Sequence, residues 1–130
     1  MARAYTIATA ALALDVPAKW LDNTLSHYSV PGVAQARQGI PRRLSIQSLT
    51  ILSIALNLIQ ELGLPLASAL STSAQLLASH GKLGFRNGLS LQIDIEQNTT
   101  RLLERLEHAV EVAPLPRRGR PPGKATGRLD

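Results

Sequence analysis

The sequence predicts a mainly α fold carrying two β-hairpins. Three observations predict it. Apolar residues recur at helical spacing in several segments, and Pro and Gly separate those segments. Around Gln38-Gly39 and Arg86-Asn87-Gly88 the pattern changes to short strands flanking a turn. The chain has 130 residues and no cysteine, so one modest apolar core has to hold it without disulfides.

Thr6 is placed to N-cap a first helix whose apolar positions are Ile7, Ala10, Ala11 and Leu14. Asp15-Val16-Pro17 breaks it. A second helix starts at Pro17 or Ala18 and runs to about His27, with Trp20, Leu21, Leu25 and Tyr28 on its apolar side. Pro31-Gly32 ends it. Two strands follow, Val33–Arg37 and Ile40–Leu44, around a Gln38-Gly39 turn. Ser45 then caps a long helix, Ile46–Leu62. Its polar residues Thr50, Ser53, Asn57 and Gln60 form one narrow stripe, so the remaining circumference has to be covered. Gly63 suits its C-cap, and Pro65 suits the start of a fourth helix that reaches about His80 and closes at Gly81.

The second hairpin has Lys82–Phe85 as its incoming strand. Leu91, Ile93 and Ile95 alternate with Gln92, Asp94 and Glu96 in the outgoing one. A two-residue Asn87-Gly88 turn would put Leu83 and Phe85 on the wet face. A three-residue Arg86-Asn87-Gly88 loop pairs Phe85 with Leu89 and Leu83 with Leu91, and so keeps the apolar residues together. Gly88 then supplies the left-handed position. The last helix is expected over Asn98–Val112, with Leu102, Leu103, Leu106, Ala109 and Val110 on one face. From Pro114 the chain is rich in Pro, Gly and Arg and is expected to be disordered alone.

Charge is unevenly placed. The formal net charge is +5, yet residues 1–113 hold nine Lys/Arg against eight Asp/Glu, and residues 114–130 hold five against one. Residues 30–45 carry Arg37, Arg42 and Arg43 and no acid. Residues 91–113 carry five acids against Arg101 and Arg105. One basic edge, an acidic end and a basic tail suit a polyanion on one side only. Arg outnumbers Lys eleven to three, a usage in keeping with a GC-rich bacterial source.

Other classes find little support. No run of roughly 18 apolar residues predicts a membrane span, and Met1-Ala-Arg-Ala-Tyr5 lacks a signal-peptide pattern. His27, His80 and His108 fall in three separate elements without metal-ligand spacing. Asp94 and Glu96 alternate with Ile93 and Ile95, as on a solvated strand face, rather than forming a catalytic pair. No Gly-rich phosphate loop is present. Four aromatics are too few for a base-stacking platform. The expectation is a cytoplasmic non-enzyme with no catalytic residues, metal, cofactor or small-molecule ligand.

Several short motifs arrive in order. Tyr5-Thr-Ile-Ala-Thr-Ala-Ala11 with Val16 five residues on, Gly39-Ile-Pro-Arg42-Arg43-Leu-Ser45, the series Leu49, Leu52 and Ile54, and Leu62-Gly-Leu-Pro-Leu66 together resemble the DNA-binding domain of the MerR family. The likeness covers about half the chain. It implies a winged helix-turn-helix, with residues 18–27 as recognition helix and residues 33–44 as wing. The sequence departs from the family at Asp22-Asn23-Thr24, where Arg-Tyr-Tyr is usual, and at Leu44, where the wing Tyr is usual. The family's long dimer helix and cysteine effector sites have no counterpart. Arg118-Gly-Arg-Pro121 resembles the core of an AT-hook, whose extended backbone lies in a narrow A·T minor groove while its Arg side chains run along the floor. Pro122 stands where that motif often has a basic residue.

The resulting expectation is a MerR-like winged helix-turn-helix with an appended hairpin and C-terminal helix. Residues 1–80 form the DNA-binding unit, 81–113 the hairpin and closing helix for dimerisation, and 114–130 the basic tail. Lys19 and Asn23 on the recognition helix, Arg37, Arg42, Arg43 and Ser45 at the wing, and Arg117, Arg118, Arg120 and Lys124 in the tail are the expected DNA contacts. Asp22 is expected to face away from the duplex or to accept from a cytosine amino group. The partner is double-stranded DNA, A·T-rich where the tail reads it, in the nucleoid. The role is that of a transcriptional regulator or nucleoid-associated protein. A homodimer centred on Leu102, Leu106 and Ala109 is expected. The rival reading is a protein-interaction module, antitoxin-like or a phage-encoded adaptor, that keeps the scaffold without reading DNA.

Overall fold

The protein is described by a computed structural model covering residues 4–34 and 41–112. Among the described residues there are five α-helices and two small antiparallel sheets. The first strand, β1 (Ala4–Tyr5), leads into α1 (Ile7–Leu14). Thr6 caps α1 as expected, its hydroxyl accepting from the Thr9 N–H at 3.2 Å. Asp15 ends the helix in the left-handed region at φ 59°. The Val16 N–H donates to the Ala11 carbonyl and the Asp15 N–H to that of Leu12, the paired closure that uses up two terminal carbonyls. Helix α2 (Ala18–His27) follows from Pro17 and turns Leu21, Thr24 and Leu25 inward. Trp20 is half-buried against the core, and Tyr28 is exposed.

Strands β2 (Val33–Ala34) and β3 (Arg43–Ser45) pair antiparallel, Val33 opposite Leu44 and Ala34 opposite Arg43. That register is the one a Gln38-Gly39 turn implies. The turn itself, Arg37 and the expected strand start at Ile40 lie outside the described residues. β3 is central in a three-stranded sheet because β1 pairs along its other edge, Tyr5 opposite Leu44. β1 was not expected. Leu44, in the place of the usual wing Tyr, is fully buried between its neighbours. Gly32 makes the approach to the sheet possible. Its φ is +91°, and a Cβ there would collide with the Ser45 hydroxyl.

That hydroxyl caps α3 (Ile46–Leu62), accepting from the Ser48 N–H at 3.2 Å. α3 is the central helix. Leu49, Leu52, Ile54 and Ala55 are each at most 1% exposed. The polar stripe is narrower than expected. Thr50 is buried and donates its hydroxyl to the Ile46 carbonyl at 2.8 Å, so Ser53, Asn57 and Gln60 are left to form the stripe. Gly63 closes α3 at φ 68°. α4 (Leu66–Ala78) packs on α3, with Ala69, Leu70, Ser73 and Leu76 inward, and ends two residues earlier than expected.

The second hairpin, β4 (Lys82–Gly84) and β5 (Ser90–Gln92), has the register derived from its turn. Leu83 lies opposite Leu91, and the Phe85 N–H bonds the Leu89 carbonyl. Asn87 as well as Gly88 takes the left-handed conformation, at φ 60° and 79°. The outgoing strand stops at Gln92 rather than reaching Glu96. Asp94 instead caps α5 (Ile95–Val112), accepting from the Gln97 N–H at 2.9 Å. Three expected strand residues are therefore a helix cap and its first turn. Asp94-x-x-Gln97 is the capping-box spacing with Asp in the cap, and it outweighs the alternation of apolar residues.

α5 packs along α1 and crosses α3. Leu102, Leu106 and Ala109 are each at most 2% exposed within the single chain. The expectation that they centre a dimer interface is corrected on that ground, because the chain's own core already covers them. Leu103 and Val110 on α5 are exposed. One apolar cluster runs from Tyr5 to Ala109, so the second hairpin and closing helix share a core with the first four helices.

Candidate nucleic-acid interface

The outward face of α2 carries Lys19, Asn23, Ser26 and His27, all exposed. Lys19 and Asn23 are one helical turn apart, so their side chains share a face. His27 Nδ1 lies 2.8 Å from the Asn23 backbone carbonyl, and the Ser26 hydroxyl donates to the Asp22 carbonyl at 3.0 Å. Both contacts are within the helix and involve backbone carbonyls, so neither engages the Asn23 side-chain amide.

Arg42 joins this face to the β2–β3 hairpin. Its Nη1 donates to Asp22 Oδ1 at 2.9 Å, linking α2 to the residue that enters β3. It is the salt bridge of the described residues. Asp22 thus turns to the hairpin and accepts from a guanidinium. The pair is 20 residues apart in the chain, and nothing in the local pattern announces it. A cleft of about 270 Å³ lies beside it, between the end of α2 and the hairpin, lined by His27, Tyr28, Val33 and Arg42 among others.

The remaining expected contacts divide. Arg43 is half-buried in β3 next to the inward Leu44, which puts its side chain on the opposite face of the sheet from that residue. Ser45 is held as the α3 cap, so its acceptor capacity toward the Ser48 N–H is already engaged. Arg37 lies outside the described residues, as do Arg117, Arg118, Arg120 and Lys124. Chemically the face offers two strong cations and a bidentate amide beside one carboxylate. That set can hold phosphate oxygens and the edge of an adenine, but with less positive charge than the sequence suggested.

Among the described residues no group of three His, Cys, Asp or Glu is placed to hold a metal ion, and no helix is long and apolar enough to cross a membrane. No family model, no curated protein and no solved structure matches the chain. The likeness to the MerR family rests on the motifs quoted above.

Proposed function

We propose that the chain binds duplex DNA as a small transcriptional regulator or nucleoid-associated protein. One observation supports this above the others: Arg42, at the foot of the hairpin, is held against the helix that carries Lys19 and Asn23. A helix for the major groove and a cation for the flanking phosphates thus form one unit. Residues 114–130, with five Lys/Arg against one Asp, add a second basic element. Through Arg118-Gly-Arg-Pro121 it favours an A·T minor groove, and the tether raises its effective concentration. Such a protein works in the cytoplasm, at the nucleoid. Homodimerisation belongs to the same proposal. With Leu102, Leu106 and Ala109 used inside the chain, Leu103 and Val110 on α5 and Phe85 and Leu89 on the second hairpin are exposed apolar residues of the two elements expected to form the interface.

Mobility shifts on A·T-rich and G·C-rich duplexes across a salt series test the reading. Binding that weakens steeply with salt, tighter on A·T, is expected. No binding to either duplex at low salt ends it. The rival, a protein-interaction module, gains from the Asp22–Arg42 pair, which spends part of the face's charge internally. Co-purification with a stoichiometric protein and no nucleic acid would favour it.

A further inference from the structure

A second recess lies away from the α2 face. It is a cleft of about 260 Å³ between the end of α1, the middle of α3 and the first half of α5. We propose that it binds a small zwitterion, a free amino acid or a close relative, with a carboxylate at one end and an ammonium at the other. The inference does not depend on DNA binding.

The walls carry opposite charges that do not meet. Arg101 and Arg105 are one turn apart on α5 and line one side. Asp15 lines another, at the C-terminal end of α1. No N–O distance among these three is within 4.0 Å, since Arg42–Asp22 is the ion pair of the described residues. A carboxylate and two guanidinium groups that line one cleft without pairing fit a molecule that bridges them.

The local backbone agrees with this polarity. The closure of α1 uses the Ala11 and Leu12 carbonyls, whereas those of Ala13 and Leu14 receive no backbone donor, and both residues line the cleft. A helix C-terminus with free carbonyls beside Asp15 favours an ammonium. The guanidinium groups favour a carboxylate.

The third wall is polar and incompletely bonded. Asn98 Oδ1 accepts from the Ser53 hydroxyl and from Asn57 Nδ2, each at 3.3 Å. Asn98 Nδ2 is buried and has no partner. Buried polar groups are rarely left so, and each one that is calls for an explanation, an absent bound group among them. Asn57, Asn98 and Arg101 also line a smaller adjoining cleft of about 190 Å³, so a modest shift of Asn98 would turn its amide toward an occupant on either side. A dicarboxylate would be repelled by Asp15, and a diamine by the two Arg residues. The long helix α3 links this cleft to the sheet at its other end, through Ser45.

Titration calorimetry on the full chain, without DNA, tests the proposal. The probes are each standard amino acid, with succinate and putrescine as controls of single charge sign. At least one amino acid with a polar side chain is expected to bind in the millimolar range or tighter, and neither control. Arg105→Gln and Asp15→Asn should each weaken it about tenfold. Both side chains are exposed, and Asn tolerates the left-handed conformation at position 15, so both variants should fold. The Asn98 side-chain amide resonance should shift on binding in the parent chain. Absence of binding by every amino acid overturns the proposal. So does equal binding of either control, or a loss of affinity in only one or neither variant.

Discussion

Replacing Asp22 by Asn should weaken the fold slightly and tighten DNA binding, two effects of opposite sign. The contact is a single 2.9 Å bond from Arg42 Nη1, and the side chains are 23% and 56% exposed for Arg42 and Asp22. Solvent screens such a pair, so its loss costs about 0.2–1 kcal/mol of stability. For a chain of this size that is a fall in melting temperature of up to roughly 5 °C. On the duplex the balance reverses. A carboxylate near the phosphates opposes binding by about 1 kcal/mol per unit charge pair at 4 Å in water, and Arg42 has to share its donors with it. Removing the carboxylate should therefore raise affinity by about fivefold at low salt, shrinking as salt rises. Arg42→Ala should lower affinity and reduce the salt slope by about one unit. In that background Asp22→Asn should retain only the through-space part of its gain. Fluorescence anisotropy across salt, with melting curves alongside, measures all four chains. Weaker DNA binding by a folded Asp22→Asn variant at every salt concentration would refute the reasoning, because Asp22 would then be a direct contact or a required support for Arg42.

Three other outcomes are expected. Gly32→Ala should cost at least about 1–3 kcal/mol in denaturant unfolding, because the new Cβ meets the capping hydroxyl of Ser45 at a left-handed backbone position. Leu106→Ala should cost about 2–5 kcal/mol as a core cavity, whereas Leu103→Glu should change stability by no more than about 0.5 kcal/mol. If light scattering finds a dimer, Leu103→Glu is the variant expected to lower its mass. Removing residues 114–130 should leave helical circular dichroism from the remainder intact and reduce the salt slope of DNA binding by up to about 4 units; an unchanged slope would take the tail out of the interface.

Much of the fold was legible because its signals are local. Thr6 and Ser45 cap helices through bonds to residues three positions on, and Gly63 ends α3 with the conformation only glycine adopts at no cost. The second hairpin was legible because apolar alternation and loop length must agree on one register, and Leu83 opposite Leu91 is the pairing that satisfies both. What failed was decided at a distance. β1 is two residues long and exists through its pairing with β3, which no window around Ala4 reveals. At Leu91–Ile95 the alternation was real, and the Ile93 N–H still bonds the Gly81 carbonyl in the hairpin's register, but Asp94 then caps α5. The period continued after the strand had ended.

The closing helix illustrates the harder limit. Its stripe of Leu102, Leu106 and Ala109 was visible in the sequence, but a stripe does not name its partner. α1 offers Ala10, Ala11 and Ala13, all buried, and small residues let two helices approach closely. An Ala-rich helix at one end of the chain was therefore the cover for a Leu stripe at the other. The same docking explains the polar features that the sequence could not combine. Once α5 lies along α1 and crosses α3, Asn98 meets Ser53 and Asn57, and Arg101 and Arg105 come to share a cleft with Asp15. An unpartnered buried amide such as Asn98 Nδ2 costs about 1–3 kcal/mol. An apolar residue would remove that cost if position 98 served packing alone, so Asn98→Leu should stabilise the free chain. Denaturant unfolding reads the sign: a destabilised Leu variant would mean that the bonds to Ser53 and Asn57 outweigh the unpaired donor. A stabilised one, set against amino-acid affinity of the same variant, would identify stability given up at this seam for binding.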